Sequence, residues 1–430
     1  RLAAGASQYN QPSFRKAAIM LDTIVIAGAG QAAAQAVISL RHGGFAGDIV
    51  LAGEEPYLPY QRPPLSKKFL AGEMELERLY LRPESFYRDN RVDVRLGARV
   101  DTIHRSRRAV TIGGHEQPYD RLILATGSHV RRVPIPGQDL PQVHYLRSIA
   151  DVLGIQAHFQ PGRRMVVIGG GYIGLEAAAV AVKAGLHVTV LEAAPRILAR
   201  VSGPDMAEFF ANEHRSQGVE IHCNAAVQGL QGIGRVNAVV SSEGSVPADL
   251  VIVGVGIEPA VELAAAAGLA CDNGIVVDAH AHTSDEHIYA CGDCTNHPNK
   301  LLGIRLRLES VQNAVDQARV AAANICGKSV EYSELPWFWS NQYDLRLQTA
   351  GLSIGYDETV VRGQLSDREF SVAYLKRGRI IAIDCINATK DYVYGRKLIE
   401  AGARPSPSEL SKPEIQMKDI LQDATSHTPA

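Results

Sequence analysis

The stretch Met165–Glu192, which reads MVVIGGGYIGLEAAAVAVKAGLHVTVLE, decides the fold of this chain. It begins with a short apolar run that predicts a buried strand. A G-x-G-x-x-G pattern and an alanine-rich segment that predicts a helix come next. A second predicted strand, His187–Leu191, ends at Glu192, 23 residues after the first glycine. The three glycines are Gly169, Gly171 and Gly174. Strand, turn, helix, strand and acid thus follow the order of a dinucleotide-binding unit.

Each residue type in this stretch has a mechanical role. The first glycine permits the tight turn, the second lets a pyrophosphate approach the helix N-terminus, and the third lets the helix pack closely on the strand. The Glu192 carboxylate can accept hydrogen bonds from a ribose 2′-hydroxyl, whereas it would repel a 2′-phosphate. The stretch therefore favours NAD over NADP.

A second copy of this pattern lies near the beginning of the chain. Thr23–Ala27 predicts a strand, and Gly28-Ala29-Gly30-Gln31-Ala32-Ala33 follows it, with alanine in the third glycine's place. The next predicted strand ends at Glu54, 26 residues after Gly28. Two fingerprints indicate a duplicated fold or two different dinucleotides. FAD at the first and NAD at the second is the usual arrangement among flavin enzymes.

Three further segments are candidates for contact with a flavin. Arg62 and Lys67 flank a proline-stiffened loop, where they are either flavin contacts or solvated charges. Ala125-Thr126-Gly127 ends a predicted strand, where glycine permits a close backbone approach. Asp293 follows another predicted strand and precedes a predicted helix from about Glu309 to Cys326. Its carboxylate suits a ribityl hydroxyl, and a capping role is compatible with this.

Composition limits the class of protein. The 430 residues predict two or three domains, and the net charge of −2 gives no basic surplus for nonspecific nucleic-acid binding. No apolar run approaches the roughly 18 residues of a membrane span. The six cysteines are scattered in a manner typical of a cytoplasmic protein.

The last hundred residues change character. Both tryptophans, Trp337 and Trp339, lie in the aromatic segment Pro336–Tyr343. Alternating strands and a helix from about Tyr392 to Ala401 predict a small antiparallel domain. The tail after Ala403 is rich in Pro, Ser and Thr, and we expect it to be only partly ordered.

Together these motifs resemble one family along almost the whole chain. From about Thr23 to Leu421 the sequence is similar to the FAD-dependent ferredoxin reductases of bacterial haem monooxygenase and aromatic dioxygenase systems. The matching segments are Gly28–Ala33, Arg62–Lys67, Ala125–Gly127, Gly169–Glu176, Gly254–Pro259, Asn273–Ile275, Gly292–Cys294, Glu309–Val311 and Pro336–Tyr343.

The resemblance implies an α/β fold with two Rossmann-like dinucleotide-binding domains of the glutathione-reductase-like type and a C-terminal α+β domain. The FAD-binding domain would be discontinuous, over 20–125 and 251–330, with the NAD-binding domain inserted as 126–250. The C-terminal domain would span 331–422. Residues 1–19 match nothing that follows, and we expect an upstream extension or an expression remnant there.

The resemblance also implies which residues contact the cofactors. The expected FAD contacts are Gly28, Gly30, Ala33, Glu54, Arg62, Lys67, Ala125, Thr126, Gly127, Asp293, Glu309, Ser310 and Val311. The expected NAD contacts are Gly169, Gly171, Tyr172, Ile173, Gly174, Glu176, Glu192 and Gly256. Tyr172 and Glu176 would lie on the nicotinamide side. The alternative for Glu176 is that its carboxylate is solvated or caps the helix. No acid–base residue and no metal are expected.

The implied activity is electron transfer from NADH through FAD, one electron at a time, to a two-iron two-sulfur ferredoxin that serves an oxygenase. Trp339 would lie on the electron-transfer face, with one tryptophan in the core and the other near the partner. The acidic ferredoxin would bind transiently, and Arg305 and Arg307 are candidates to steer it, or else solvated charges. The reductase would be a cytoplasmic monomer or weak dimer, with no nucleic acid and no membrane as partner.

Two rivals are weaker. A disulfide reductase needs a redox cysteine next to the flavin. The only CxxC in the sequence is Cys291–Cys294, and Cys291 ends a predicted strand, where a cysteine is more often a small packed residue than a redox group. A metal site there would need further ligands, such as His287 and His297. A signalling flavoprotein that binds chromatin would need a basic surface, and the net charge of −2 disfavours it.

Overall fold

The computed structural model describes residues 22–426, so the segment 1–19 lies outside the described residues. The first sheet has five parallel strands, and all but the edge strand Val92–Leu96 are apolar on both faces. Helices cover one face, and a small antiparallel sheet covers most of the other. In spatial order they are Ile288–Ala290, Arg121–Leu124, Thr23–Ala27, Asp48–Gly53 and Val92–Leu96. The chain leaves this sheet after Leu124 and returns to it only at Ile288.

A second parallel sheet is built from the intervening chain. In spatial order its strands are Glu220–His222, His187–Leu191, Arg164–Ile168, Leu250–Val253 and Val143–Tyr145. The expected boundary between residues 250 and 251 stays a prediction, although it falls within the strand Leu250–Val253, which pairs on both sides within this sheet. An apolar run predicts a buried strand but does not tell which sheet receives it.

The two chain crossings between these sheets lie side by side. Ser128–Val130, where the chain leaves the first sheet, pairs antiparallel with Ile257–Pro259, where it returns. The Ala260 amide also donates to the Gly127 carbonyl oxygen at 3.0 Å. The division into an FAD-binding and an inserted NAD-binding domain remains a prediction, and this ribbon marks where the chain passes between the two sheets.

Helices and small antiparallel sheets complete these two units. The helices after the two glycine turns are Gln31–His42 and Tyr172–Lys183. The other helices before the C-terminal region are Glu84–Asp89, Ile149–Gln156, Pro204–Ser216, Glu262–Ala266 and Val311–Ile325. Short 3₁₀ helices span Pro63–Ser66, Leu76–Leu79 and Arg105–Arg107. The small sheets comprise Val100–His104 with Ala109–Ile112 and His115–Pro118, Val227–Gln231 with Ala238–Ser241 and Gly244–Pro247, and Ile275–Val276 with Thr295–Asn299 and Ile304–Leu306. Among the described residues, no helix combines the length and apolarity that crossing a bilayer requires.

The C-terminal region is an antiparallel sheet with helices on one face. Its strands in spatial order are Trp337–Gln342, Leu345–Gly351, Arg379–Ile386, Glu369–Lys376 and Glu358–Gln364, and the 3₁₀ helix Leu365–Asp367 connects the last two. Its helices are Thr389–Glu400, Pro407–Leu410 and Met417–Ser426.

The expectation of a partly ordered tail was wrong for the described residues up to 426, because a buried arginine holds this part of the tail against the sheet. The Arg362 guanidinium pairs with Asp391 at 3.2 Å and donates to the carbonyl oxygens of Lys412 and Ile415 at 2.5 and 2.7 Å. Leu410, Met417 and Ile420 are buried beneath it. The composition of the tail does not predict this interaction, since Arg362 lies about fifty residues earlier in the chain.

A buried histidine joins the second sheet's unit to the C-terminal sheet. His214 Nε2 lies 2.7 Å from Gln342 Oε1, and His214 Nδ1 lies 2.8 Å from the Tyr343 hydroxyl. Because the amide oxygen only accepts, Nε2 carries the proton and Nδ1 accepts from the tyrosine. Burial lowers the pKa of His214 to about 4.

This histidine makes stability depend on pH. An unfolded histidine titrates near about pH 6.5, so the unfolded chain binds more protons than the folded one between about pH 4 and 6.5. Stability is therefore lost as the pH falls through that window, by about 2 kcal/mol at about pH 5 for this group. We expect His214→Gln to remove this part of the pH dependence. The measurement is the free energy of unfolding in urea at about pH 7 and at about pH 5, for the variant and for the wild type. Equal pH dependence in both proteins would contradict the assignment.

Candidate functional site

The first glycine turn forms a cradle that is closed toward the protein and open outward. Gly28 has φ +116°, and a β-carbon there would lie 2.1 Å from the Ala125 carbonyl oxygen. A β-carbon on Gly30, the residue before the helix Gln31–His42, would meet nothing within 4 Å. Ala33 is fully buried against the strand. These features fit a pyrophosphate at the helix N-terminus, and Glu54 is exposed beyond the second strand.

The second glycine turn repeats this geometry. Gly169 has φ +104°, and a β-carbon there would lie 2.5 Å from the Gly254 carbonyl oxygen. A β-carbon on Gly174 would lie 2.4 Å from the Gly169 carbonyl oxygen, so the helix packs tightly on its strand. A β-carbon on Gly171 would meet nothing within 4 Å, and Ile173 beside it is 45% exposed. The open side again fits a dinucleotide pyrophosphate.

Glu192 lies against this second turn. Its Oε2 accepts from the Gly170 amide and its Oε1 from the Ala194 amide, each at 2.7 Å. Gly256 faces the same region with φ +102°, and the guanidinium of Arg200 lies 3.7 Å from the position of its β-carbon. Arg200 was not predicted from the sequence, because no motif includes it.

The two cationic loop residues expected near the flavin both pair with acids. Arg62 pairs with Glu55 at 2.8 Å and donates to the Arg147 carbonyl oxygen at 2.5 Å. Lys67 Nζ pairs with Glu176 at 2.6 Å. They therefore act as links between segments as well as candidates for contact with a cofactor.

Glu176 is the point at which three parts of the chain meet. It is 2% exposed, on the fingerprint helix Tyr172–Lys183. Besides Lys67, it accepts from Ser66 Oγ at 2.5 Å and from Ser340 Oγ at 2.6 Å. The alternative of a solvated carboxylate was wrong, because donors from the proline-rich loop and from the C-terminal sheet surround it.

Asp293 has a partner that the sequence did not predict. Its Oδ2 lies 3.3 Å from the Arg147 guanidinium and accepts from Ser128 Oγ at 3.0 Å. Burial and the charge of Arg62 lower the pKa of Arg147, while Asp293 opposes that shift. Asp293 lies close to the strand end at Ala125-Thr126-Gly127, where the Thr126 hydroxyl donates to the Ala260 carbonyl oxygen at 2.7 Å.

The long helix that was expected to begin at Glu309 begins at Val311. The Ser310 side chain accepts from the Asn313 amide at 3.1 Å and so caps the helix, which leaves Glu309 outside it. Glu309 pairs instead with Arg307 at 2.5 Å. The N-terminal amides of this helix remain candidates for contact with a flavin.

Comparisons with known proteins agree with this geometry. A family model described as "Pyridine nucleotide-disulphide oxidoreductase" matches residues 22–318, and a second, "Reductase C-terminal", matches residues 337–421. The chain belongs to the pyridine nucleotide-disulphide oxidoreductase family. The fold class expected from the fingerprints is thereby confirmed, as are FAD and NAD(H) as its cofactors.

Relatives within this family match over nearly their whole length. A ferredoxin–NAD(P)(+) reductase of Sphingomonas sp is 47% identical over 94% of this chain and 99% of its own. Putidaredoxin reductase of Pseudomonas putida is 41% identical over 94% of this chain and 97% of its own. The structure of the covalent putidaredoxin reductase–putidaredoxin complex matches with a TM-score of 0.92 and 40% identity, over 94% of this chain and 99% of that one. The predicted resemblance to ferredoxin reductases is confirmed.

The name of this oxidoreductase family includes disulphide reductases, but the Cys291–Cys294 pair does not have the environment of a redox pair. Both thiols are fully buried, and burial raises both pKa values. The Cys294 thiol points at the carbonyl oxygens of Cys291 and Leu124, at 3.4 and 3.7 Å. A buried thiol with a raised pKa is a poor nucleophile. Within residues 22–426 no group of three or more potential metal ligands occurs.

The aromatic segment forms the edge strand of the C-terminal sheet beside the helix Tyr172–Lys183. The Phe338 ring faces the Tyr172 ring, with centroids 4.9 Å apart. Trp337 and Trp339 lie on the opposite face, with ring centroids 5.5 Å apart. The expectation of one tryptophan in the core was wrong, because both are half-buried; that one of them lies near the partner stays a prediction. Alternation along a strand puts them on the same face.

Proposed function

We propose that this chain is an NADH-dependent ferredoxin reductase that passes electrons through FAD to a two-iron two-sulfur ferredoxin of an oxygenase system. The observation that carries this proposal is the pair of open glycine cradles in a chain that matches ferredoxin reductases nearly end to end. FAD, when bound, supplies the chemistry that accepts two electrons from NADH and releases them singly.

The residues of the chain bind and orient the two cofactors in this scheme. The amides after Gly30 and Gly171 would bind the two pyrophosphates, and Glu54 and Glu192 would accept hydrogen bonds from the adenosine riboses. Glu176 and Lys67 hold the proline-rich loop and the C-terminal sheet against the nicotinamide-side helix. No side chain is required to act as an acid or a base.

Ferredoxin docking is proposed on the face of the C-terminal sheet that carries Trp337 and Trp339. Arg305 remains a candidate to steer an acidic partner, since it is exposed and donates only to the carbonyl oxygens of Val277 and Asn296 among its described hydrogen bonds. Arg307 is a weaker candidate because Glu309 neutralises it. Cytoplasmic location, transient contact and a monomer or weak dimer stay predictions.

An anaerobic NADH titration of the purified flavoprotein tests the proposal. We expect the visible flavin band to bleach completely at about one NADH per flavin, because the flavin is then the only two-electron centre. A requirement for about two equivalents would instead give Cys291–Cys294 a redox role. A protein whose flavin NADH does not reduce would overturn the proposed function.

Trp339→Ala is expected to slow ferredoxin reduction about tenfold, since large aromatic residues at the centre of an interface often contribute most of its affinity. Reduction of ferricyanide, which needs no protein docking, should change little. Equal slowing of both acceptors by Trp339→Ala would indicate a structural role.

A further inference from the structure

A chain of buried hydrogen bonds runs from His214 to Glu176. His214 Nε2 donates to Gln342 Oε1 at 2.7 Å, and the Gln342 amide group donates in turn to Ser340 Oγ at 3.2 Å. The Ser340 hydroxyl donates to Glu176 Oε1 at 2.6 Å. All four side chains are at most 2% exposed. Each group therefore donates in the direction of the carboxylate, and buried hydrogen bonds that share one direction strengthen one another.

The strand Trp337–Gln342 lies in register with the fingerprint helix. Side chains alternate between the two faces of a strand, so Phe338 and Ser340 share one face. Phe338 faces Tyr172, and Ser340 contacts Glu176, which lies one helical turn further along. Two residues of a strand advance about 6.6 Å and four residues of a helix about 6 Å, so both contacts form at once.

These contacts give the Glu176 carboxylate one fixed orientation. Its Oε2 accepts from Ser66 and Lys67 of the proline-rich loop, at 2.5 and 2.6 Å. Among the hydrogen bonds of residues 22–426 described above, Ser340 is the single donor to Oε1. The serine hydroxyl therefore determines where this oxygen points. The amide group of Gln342 keeps that hydroxyl in place, because it occupies the acceptor side of the serine oxygen.

We propose that Ser340 is a positioning residue for the nicotinamide half of NADH, which acts by orienting the Glu176 carboxylate. Gln342 and His214 hold the serine in turn. This inference rests on the proposed function, since it assumes that the second cradle binds NADH and that Glu176 lies on the nicotinamide side. The oxidised nicotinamide ring is positively charged, so a carboxylate held in a fixed orientation beside it stabilises bound NAD⁺. The opposite face of the same strand carries the two tryptophans proposed for ferredoxin docking.

ADP-ribose separates positioning of the nicotinamide from a general loosening of the site, because it can occupy the cradle but lacks the nicotinamide ring. On the oxidised, FAD-loaded protein, we expect Ser340→Ala to weaken NAD⁺ binding about fivefold by calorimetry, the effect of one ordinary hydrogen bond. The affinity for ADP-ribose should change less than about twofold, since this ligand has no group to place beside Glu176.

Ser371→Ala is the matched control. Ser371 is a buried serine of the same sheet, and its hydroxyl donates at 2.8 Å to Asp391, a carboxylate that is also ion-paired. That carboxylate pairs with Arg362 at the tail and not with the proline-rich loop. We therefore expect the affinities of the control variant for NAD⁺ and ADP-ribose to stay within about twofold of the wild type, even where its melting temperature falls.

Glu176→Gln tests whether the serine acts through the carboxylate. It should weaken NAD⁺ binding at least as much as Ser340→Ala does, and Ser340→Ala added to it should weaken binding by less than about twofold more. Three results would overturn the positioning role: equal weakening of NAD⁺ and ADP-ribose by Ser340→Ala, unchanged affinity for both, or independent effects in the double variant. If the wild type neither binds NAD⁺ nor is reduced by NADH, the proposed function fails as well, so the two failures are distinguishable.

Discussion

Gly171→Ala is expected to slow reduction of the bound flavin by NADH about 100-fold while flavin content and melting temperature stay near those of the wild type. The protein itself tolerates the new methyl group, because Gly171 has φ −81° and a β-carbon there meets nothing within 4 Å. Only a dinucleotide in the cradle would meet it, and a displacement of about 1 Å can cost about 100-fold in rate. Stopped-flow bleaching of the flavin band at several NADH concentrations measures the effect.

Two other glycines serve as controls for this variant. Gly169→Ala should destabilise the protein itself, since its β-carbon would lie 2.5 Å from the Gly254 carbonyl oxygen at a φ of +104°. Gly30→Ala, equally open within 4 Å but in the first cradle, should lower flavin content instead. Unchanged reduction kinetics in Gly171→Ala would remove the argument that this turn binds NADH.

Glu176→Gln is expected to lower the free energy of unfolding of the holoprotein by about 2–3 kcal/mol. Removing one partner of a buried ion pair costs about 3–5 kcal/mol, and the figure is reduced here because the Lys67 side chain is 18% exposed. Glutamine keeps the size of the side chain; its oxygen can still accept from one of the two serines, and its NH₂ group can donate to the rotated hydroxyl of the other. The loss therefore reports mainly the unpaired ammonium. Urea unfolding measures this loss, provided that the dependence of the free energy of unfolding on urea concentration is the same in the variant and the wild type.

A surface pair on the same helix provides the control. Lys183 pairs with Glu73 at 3.2 Å, but both side chains are at least half exposed. Glu73→Gln should therefore cost less than about 1 kcal/mol. Lys67→Met combined with Glu176→Gln should recover part of the loss, because no buried charge is then left alone. A loss for Glu176→Gln as small as that for Glu73→Gln would show that the pair is not effectively buried.

The sequence predicted best those features whose physical cause is local. The turns at Gly28 and Gly169 were predictable because tight turns, helix starts and strand ends follow one another within about thirty residues. The fold class was implied by the resemblance to ferredoxin reductases, which these units support. The site residues assigned by resemblance stay predictions, although the structure brings the two glycine turns, Asp293 and the start of the helix Val311–Ile325 into the expected units.

Features that join distant segments could not be predicted in this way. Glu176 was expected on the nicotinamide side, but its partners Lys67 and Ser340 lie 109 and 164 residues away. Arg147 reaches Asp293 over 146 residues, and Ser202 reaches Asp384 over 182. A charge or a hydroxyl in a sequence has no periodicity that reveals its partner, so these pairs required the tertiary structure.

The ribbon formed by Ser128–Val130 and Ile257–Pro259 has a consequence for the history of such chains. The chain segment that forms the second sheet begins and ends at neighbouring points, so its two ends need no rearrangement to be joined to a host. Domain insertion is tolerated where the ends of a segment lie close together. If this segment is the expected NAD-binding domain, its adjacent ends would allow it to be gained or exchanged as one unit.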